Sequence, residues 1–155
     1  TNSTTETVLS TIALPQAILP QVQEILVDSI SDVSSVNAGD KLIVAVYFHP
    51  TSVAFNGTGG IKVATTATAG GGIVAVANDQ IIFRLALGLT DDTTFTALGT
   101  SSFGQLGAAS TLSAGLQGQQ VWDDAVGWSV TVTGKYNAAS TSNVVRQQSL
   151  AVRVS

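Results

Sequence analysis

His49 is the one histidine among 155 residues, and the chain has no cysteine, so any search for chemistry starts there. Imidazole acts as a general base, a proton relay or a zinc ligand, and each role needs a suitable neighbour. Around it stand Tyr47, Phe48, Pro50 and Thr51, with no second His and no acid at ligand spacing. His49 therefore reads as a structural or surface residue, and without a nucleophile elbow no Ser-His-Asp set is credible. The acid pairs Asp91-Asp92 and Asp123-Asp124, with Asp32 and Asp40, are the hard oxygen donors that calcium takes. They lack EF-hand spacing and read first as solvated turn residues, so no cofactor is expected, with calcium the minor alternative. Two carboxylates also serve glycoside hydrolysis, but nothing marks a cleft between them. Gly59-Gly60 and Gly70 to Gly72 lack the spacing of a phosphate cradle and read as strand connections. Trp122 and Trp128 flank Asp123-Asp124. A Trp on a sheet edge can stack on a sugar ring, which makes Trp122 a candidate interface or glycan contact, whereas Trp128 continues an apolar strand face and reads as core. No residue is expected to be catalytic, cofactor-binding or metal-binding, and the chain is not expected to be an enzyme.

The elements that hold these residues are strands. In AGDKLIVAVYFHPTSVAFNG, residues 38–57, Leu42, Val44, Val46 and Phe48 alternate with Lys41, Ile43, Ala45, Tyr47 and His49. A pleat that repeats every two residues puts the first set on one buried face. Pro50 has no amide hydrogen, so the ladder must break there before Ser52 to Phe55 resume pairing. Further strands are expected over 24–30, 40–48, 61–66, 73–77, 80–87 and 93–98. Asn78-Asp79 reads as a tight hairpin turn between two of them. Residues 99–120 carry no charge and are rich in Gly, which predicts a long loop anchored by Phe103, Leu106, Leu112 and Leu116. Residues 127–136 alternate cleanly, with Trp128, Val130 and Val132 inward and Ser129, Thr131 and Thr133 outward. Residues 149–155 repeat the pattern, and the two are expected to form a hairpin around a polar loop at 137–143.

The N-terminal third is organised differently. Residues 1–7 are polar, and Pro15 and Pro20 interrupt the apolar stretch that follows. The apolar positions from Val8 to Ala13 fit a short helical face, but the prolines favour extended backbone. The expected organisation is an extended N-terminal arm over residues 1–23 and one β-sandwich domain over 24–155. The arm carries Ile12, Leu14, Ile18, Leu19 and Val22, a heavy apolar load for a peripheral segment. It is expected to lie against a partner subunit or to cover the mouth of the sandwich.

Gly39-Asp40, the strand ending at Phe48, the Pro, the short Val53-Ala54-Phe55, Asn56-Gly57, a Gly-rich run and the strand of Ile81, Phe83 and Leu85 together resemble immunoglobulin-like sandwich repeats. Such repeats occur in bacterial surface proteins and tailed-phage virion proteins, and the resemblance covers roughly residues 25–98. It implies an all-β, immunoglobulin-like antiparallel β-sandwich and a structural role in adhesins, fibres, or decorations on capsids and tails.

Composition points the same way. Charged residues make up 10% of the chain, against about 25% in ordinary soluble domains. A surface of Ser, Thr, Asn, Gln and Gly suits repeated packing against neighbours. A net charge of −4 with only six scattered cations, Lys41, Lys62, Arg84, Lys135, Arg146 and Arg153, argues against nucleic acid. No stretch reaches the roughly 18 apolar residues of a spanning helix. The chain starts at Thr1, which fits removal of an initiator Met or of a leader segment. The leading expectation is a virion structural protein, a capsid decoration or cement subunit that self-assembles and docks on neighbouring structural subunits. The alternative is a secreted subunit of a cell-surface filament or adhesin joined by strand exchange. A carbohydrate-binding sandwich with a host-surface glycan as partner is the lesser one. The expected partners are copies of the chain itself and other structural subunits, in a virion or at the cell surface.

Overall fold

The computed structural model describes residues 3–34, 39–57, 60–66, 73–74, 79–91, 94–98 and 119–155. These residues build two antiparallel sheets packed face to face. The first holds β1 (Thr7–Leu14), β9 (Trp128–Tyr136), β3 (Lys41–Pro50) and β4 (Ile61–Thr65) in that order, with β5 (Ile73–Val74) on the same edge of β3 as β4. The second has the order β10 (Val144–Val154), β2 (Glu24–Ser34), β6 (Asp79–Asp91), β7 (Thr94–Leu98) and β8 (Gln119–Val121). Consecutive strands β2 and β3 pair with β10 and β9, so one antiparallel double ribbon wraps across both sheets. Between β2 and β3 the chain turns through Gly39, whose φ of 97° suits a residue without a side chain.

The core follows from the period-two pattern. Leu42, Val44, Val46 and Phe48 of β3 and Trp128, Val130, Val132 and Tyr136 of β9 face Ile25, Val27 and Val33 of β2 and Ile81, Phe83, Leu85 and Leu87 of β6. At one end Phe48 stacks on Trp128 with ring centroids 4.5 Å apart, and Trp122 lies 6.0 Å from Trp128. The Trp128 indole N–H donates to the Asp123 carbonyl at 2.6 Å, so the buried ring keeps a polar partner.

Four expectations are corrected. Ser52 to Phe55 is not a strand: the chain turns after Pro50 and folds back over the first sheet. β9 and β10 do not form a hairpin, since residues 137–143 carry the chain from one sheet to the other. The inward Tyr136 marks that crossing, because its hydroxyl reaches the carbonyls of Ser34 on β2 and Val144 on β10 at 2.8 and 2.9 Å. The strands flanking Asn78-Asp79 likewise lie in different sheets, β5 in the first and β6 in the second. Asn78 itself and the loop expected at 99–120, apart from its last two residues, lie outside the described residues. Finally, β2 runs on to Ser34 and β10 starts at Val144, so both strands are longer than their apolar stripes.

Ser29 and Ser31 explain that extension. Both point into the core and are fully buried, yet the Gln147 amide answers them. Gln147 donates to Ser29 Oγ and accepts from Ser31 Oγ, each at 3.0 Å. The register shift between Gln147 and Ser149 turns that side chain inward. On the outer face Asp28 sits between Arg84 of β6 and Arg153 of β10, and Asp32 between Gln80 and Gln148.

Burial pushes the Tyr136 phenol up to about 12 from its ordinary value of 10.0, and the nearby Asp40 carboxylate adds to the rise. A raised folded-state value means that the unfolded chain loses this proton first as pH rises. Stability from Tyr136 is therefore complete below about pH 10 and declines from there to about pH 12. Tyr47, whose pKa is raised as well, behaves alike, so denaturant unfolding across that range should show about two protons released per unfolded molecule, and Tyr136→Phe should roughly halve the slope. An unchanged slope in that variant would remove Tyr136 as a source.

Candidate assembly site

β1 is an edge strand. It pairs with β9 from Thr7↔Gly134 to Leu14↔Trp128, and its other edge carries no ladder among the described residues. Pro15 ends it, and a 3-10 turn over Gln16–Gln21 leads to β2 in the opposite sheet. Pro20 fits inside that segment because the bonds that close its two turns are given by the amides of Ile18 and Val22, to the carbonyls of Pro15 and Leu19. The segment expected as a separate arm is thus a sheet strand followed by a turn.

Its apolar residues divide between core and surface. Leu14 and Leu19 are buried, Leu19 to 1% exposure, while Val22 packs half-buried against the core. Ile12 is half-buried opposite Val130, and Ile18 stays 37% exposed. Leu9 sits where the register shifts between Val8 and Ser10, and it drops onto Gly134. A β-carbon at Gly134 would come within 3.2 Å of Leu9 Cδ1 and 3.0 Å of Val145 Cγ1. The bare backbone there is a socket for Leu9.

A second set of contacts lies on the outer face of the same sheet. The Glu6 carboxylate accepts hydrogen bonds from Thr133 Oγ1 at 2.6 Å and from the Tyr47 hydroxyl at 3.1 Å. Burial, and then the charge of Glu6, raise the Tyr47 pKa above its ordinary value, so the hydroxyl keeps the proton it donates. Lys62 Nζ lies 5.1 Å from the Tyr47 ring centroid, and Phe55 meets that ring edge-on with centroids 5.0 Å apart. Further along, Thr11 and Thr131 pair their hydroxyls at 2.9 Å. Thr131 also lies 2.8 Å from His49 Nε2. His49 Nδ1 donates to the carbonyls of Pro50 and Val53, both at 2.9 Å, so this ring fastens the returning 51–57 segment to the sheet. A Thr hydroxyl on a His nitrogen resembles an activated nucleophile. Both residues are buried and their hydrogen bonds end in backbone carbonyls and Thr11, which makes the group a structural clasp.

Trp122 is corrected as a surface contact. It is 3% exposed, with its ring against Phe48 and Trp128, so it presents no face on which a sugar could stack. The candidate acids do not gather either. Asp32 and Asp40 bind neutral amides of Gln80, Gln148 and Asn143, and Asp123 accepts from the Ala125 amide. Among the described residues no group of three His, Asp or Glu could hold a metal ion, and no helix is long and apolar enough to cross a membrane. Asp92 lies outside the described residues.

Glu6, Leu9, Tyr47, Thr131, Thr133 and Gly134 were not singled out from the sequence. The available signal was a row of hydroxyls at 129, 131 and 133 opposite Tyr47 and His49, which alternation alone assigns to solvent. Compared with known protein families, curated proteins and solved structures, the chain matches none.

Proposed function

We propose that this protein is a structural subunit of an extracellular filament, its copies joined when each lends β1 to the β9 edge of the next. The observation that carries this reading is the position of β1. It is the first strand of the described residues and among them is paired on one side only, it fills the core with Leu14, and it is joined to the rest by a short Pro-flanked turn. Strand addition of this kind takes its affinity from main-chain hydrogen bonds and its specificity from alternate side chains. A lent strand joins different surfaces of successive copies, and a heterologous contact that does not close builds a filament.

The sandwich is read as immunoglobulin-like. β2 pairs with β6 as B does with E, β3 pairs with β9 as C does with F, and β1 stands where strand G completes the C-F-G sheet. In an immunoglobulin domain that place is filled by the last strand, whereas here β10 goes to the edge of β2. The G position is thus held by the segment best placed to leave.

A virion decoration subunit is the second reading. It is favoured by the outer face of the second sheet, where Asp28 is neutralised within its own ladder and Leu26, Ile30 and Ile82 are half-buried, a surface suited to close packing in a shell.

Ala13 and Ser129 are directly opposite across β1 and β9, within reach of an engineered disulfide. A chain carrying Ala13→Cys and Ser129→Cys, oxidised in its assembled form, should give a ladder of covalent multimers on a non-reducing gel. The absence of native cysteine keeps the background clean. Monomers alone, internally cross-linked, would overturn strand exchange.

A further inference from the structure

We infer that the joint between β1 and β9 is keyed: Glu6 and Leu9 set its absolute register, so that β9 accepts residues 6–14 of a second copy in one alignment. The inference rests on the strand-exchange reading and names what that joint recognises.

The apolar pattern of β1 cannot do this by itself. A one-residue slip turns Ile12 and Leu14 to the wrong face and is excluded by burial. A two-residue slip returns them to the same face. Moving β1 so that Ala13 lies opposite Thr131 would still seat Leu14 over Val130 and Ile12 over Val132, both apolar and both buried. Something other than alternation must separate these two alignments.

Two features do so, on opposite faces of the strand. On the inner face Leu9 occupies the notch over Gly134, and the register shift between Val8 and Ser10 brings it there. Gly134 is the one glycine in β9, so a two-residue slip sets Leu9 over a residue that carries a β-carbon. On the outer face the Glu6 carboxylate is held by two hydroxyls at once, Tyr47 and Thr133, from neighbouring strands. A slip moves that carboxylate about 6 to 7 Å along the sheet and leaves the buried Tyr47 and Thr133 hydroxyls without it, which is costly for groups out of water. Glu6 belongs to the lent segment and the two hydroxyls to the receiving body, so the key travels with the strand and the lock stays behind.

The test uses two cysteine pairs in the full chain. Ala13→Cys with Ser129→Cys reports the observed alignment, and Ala13→Cys with Thr131→Cys reports the two-residue slip. In the otherwise unaltered protein the first pair should cross-link at least tenfold faster than the second. Adding Glu6→Gln should narrow that ratio severalfold, and Gly134→Ala should narrow it further. Leu9→Ala combined with Gly134→Ala should recover part of it by making room for the added methyl group. Circular dichroism shows whether each variant folds, and Glu6→Gln, which keeps the side-chain size, provides the test if Gly134→Ala does not. A ratio that Glu6→Gln and Gly134→Ala leave unchanged would overturn the key. Whether the cross-linked product is a multimer or a monomer is read on the same gel, so failure of strand exchange is separate from failure of the register.

Discussion

Removing residues 1–14 should abolish assembly and leave a chain that melts far below the full protein. Leu14 is buried in the core, Leu9 packs half-buried against it, and Ile12 is half-buried opposite Val130. Full burial of such a side chain is worth roughly 1.5 to 3 kcal/mol and half-burial about half of that, so the three together are a substantial part of the roughly 5 to 15 kcal/mol that holds an ordinary domain together. The truncation also opens the edge of β9 from Trp128 to Gly134, a row of backbone donors and acceptors beside an apolar groove. Adding a synthetic peptide of residues 3–14 should raise the melting temperature again in a concentration-dependent manner, because a ligand of the folded state stabilises it by mass action. Circular dichroism melting with and without the peptide, beside electron microscopy of both chains, measures each part. A truncated chain that assembles as the full one does, or melts at the same temperature, would show that β1 is dispensable.

Phe48→Ala should cost about 3 to 5 kcal/mol, the range for emptying a large aromatic site in a core. Phe48 is fully buried, and its ring is shared by Trp128 at 4.5 Å and Trp122 at 6.2 Å. Both indoles would lose a packing face, and Leu14 pairs with Trp128 at the end of β1, so the cavity opens beside the candidate joint. Equilibrium urea unfolding with an unchanged m value gives the loss directly. A change below about 1 kcal/mol would mean that the aromatic group collapses to fill the space, and that the end of β1 is less firmly seated than its burial indicates.

The strands that the sequence reveals are those whose inward residues are all apolar. β3 is one: Leu42, Val44, Val46 and Phe48 mark it without ambiguity, and all four are in the core. β9 is legible for the same reason. β2 and β10 are legible only in part, because Ser29 and Ser31 face inward to meet Gln147, and that partnership joins residues more than a hundred positions apart. A polar residue at an inward position looks like the end of a strand until its partner is known. The bulge at Gln148 has a similar effect, since it resets the alternation that the last strand would otherwise show from Val144 onward. Tyr136 explains the misplaced hairpin: a polar loop between two alternating strands suggests a turn, and only the hydroxyl bridging Ser34 and Val144 reveals a crossing.

The candidate site was half visible. Prolines and apolar residues marked 8–22 as a segment distinct from the later strands, whereas the burial of Leu14 and Leu19 in the chain's own core had no signal in the sequence. Glu6 was hidden because a lone acid in a polar run has no local signal, and its meaning lies in two hydroxyls brought from β3 and β9. Trp122 was misplaced for the opposite reason. Beside two aspartates it looks exposed, yet the backbone there carries it inward against the stacked pair of Phe48 and Trp128.

Thr11 meets Thr131 across 120 residues of chain. A ribosome adding about 5 to 20 residues each second takes roughly 6 to 24 s to supply that distance. For all of that interval the first strand has been made and its seat has not. Timing therefore sets a race that the finished fold conceals: whichever β9 edge becomes available first, from the same polypeptide or from an older one nearby, can claim the waiting segment.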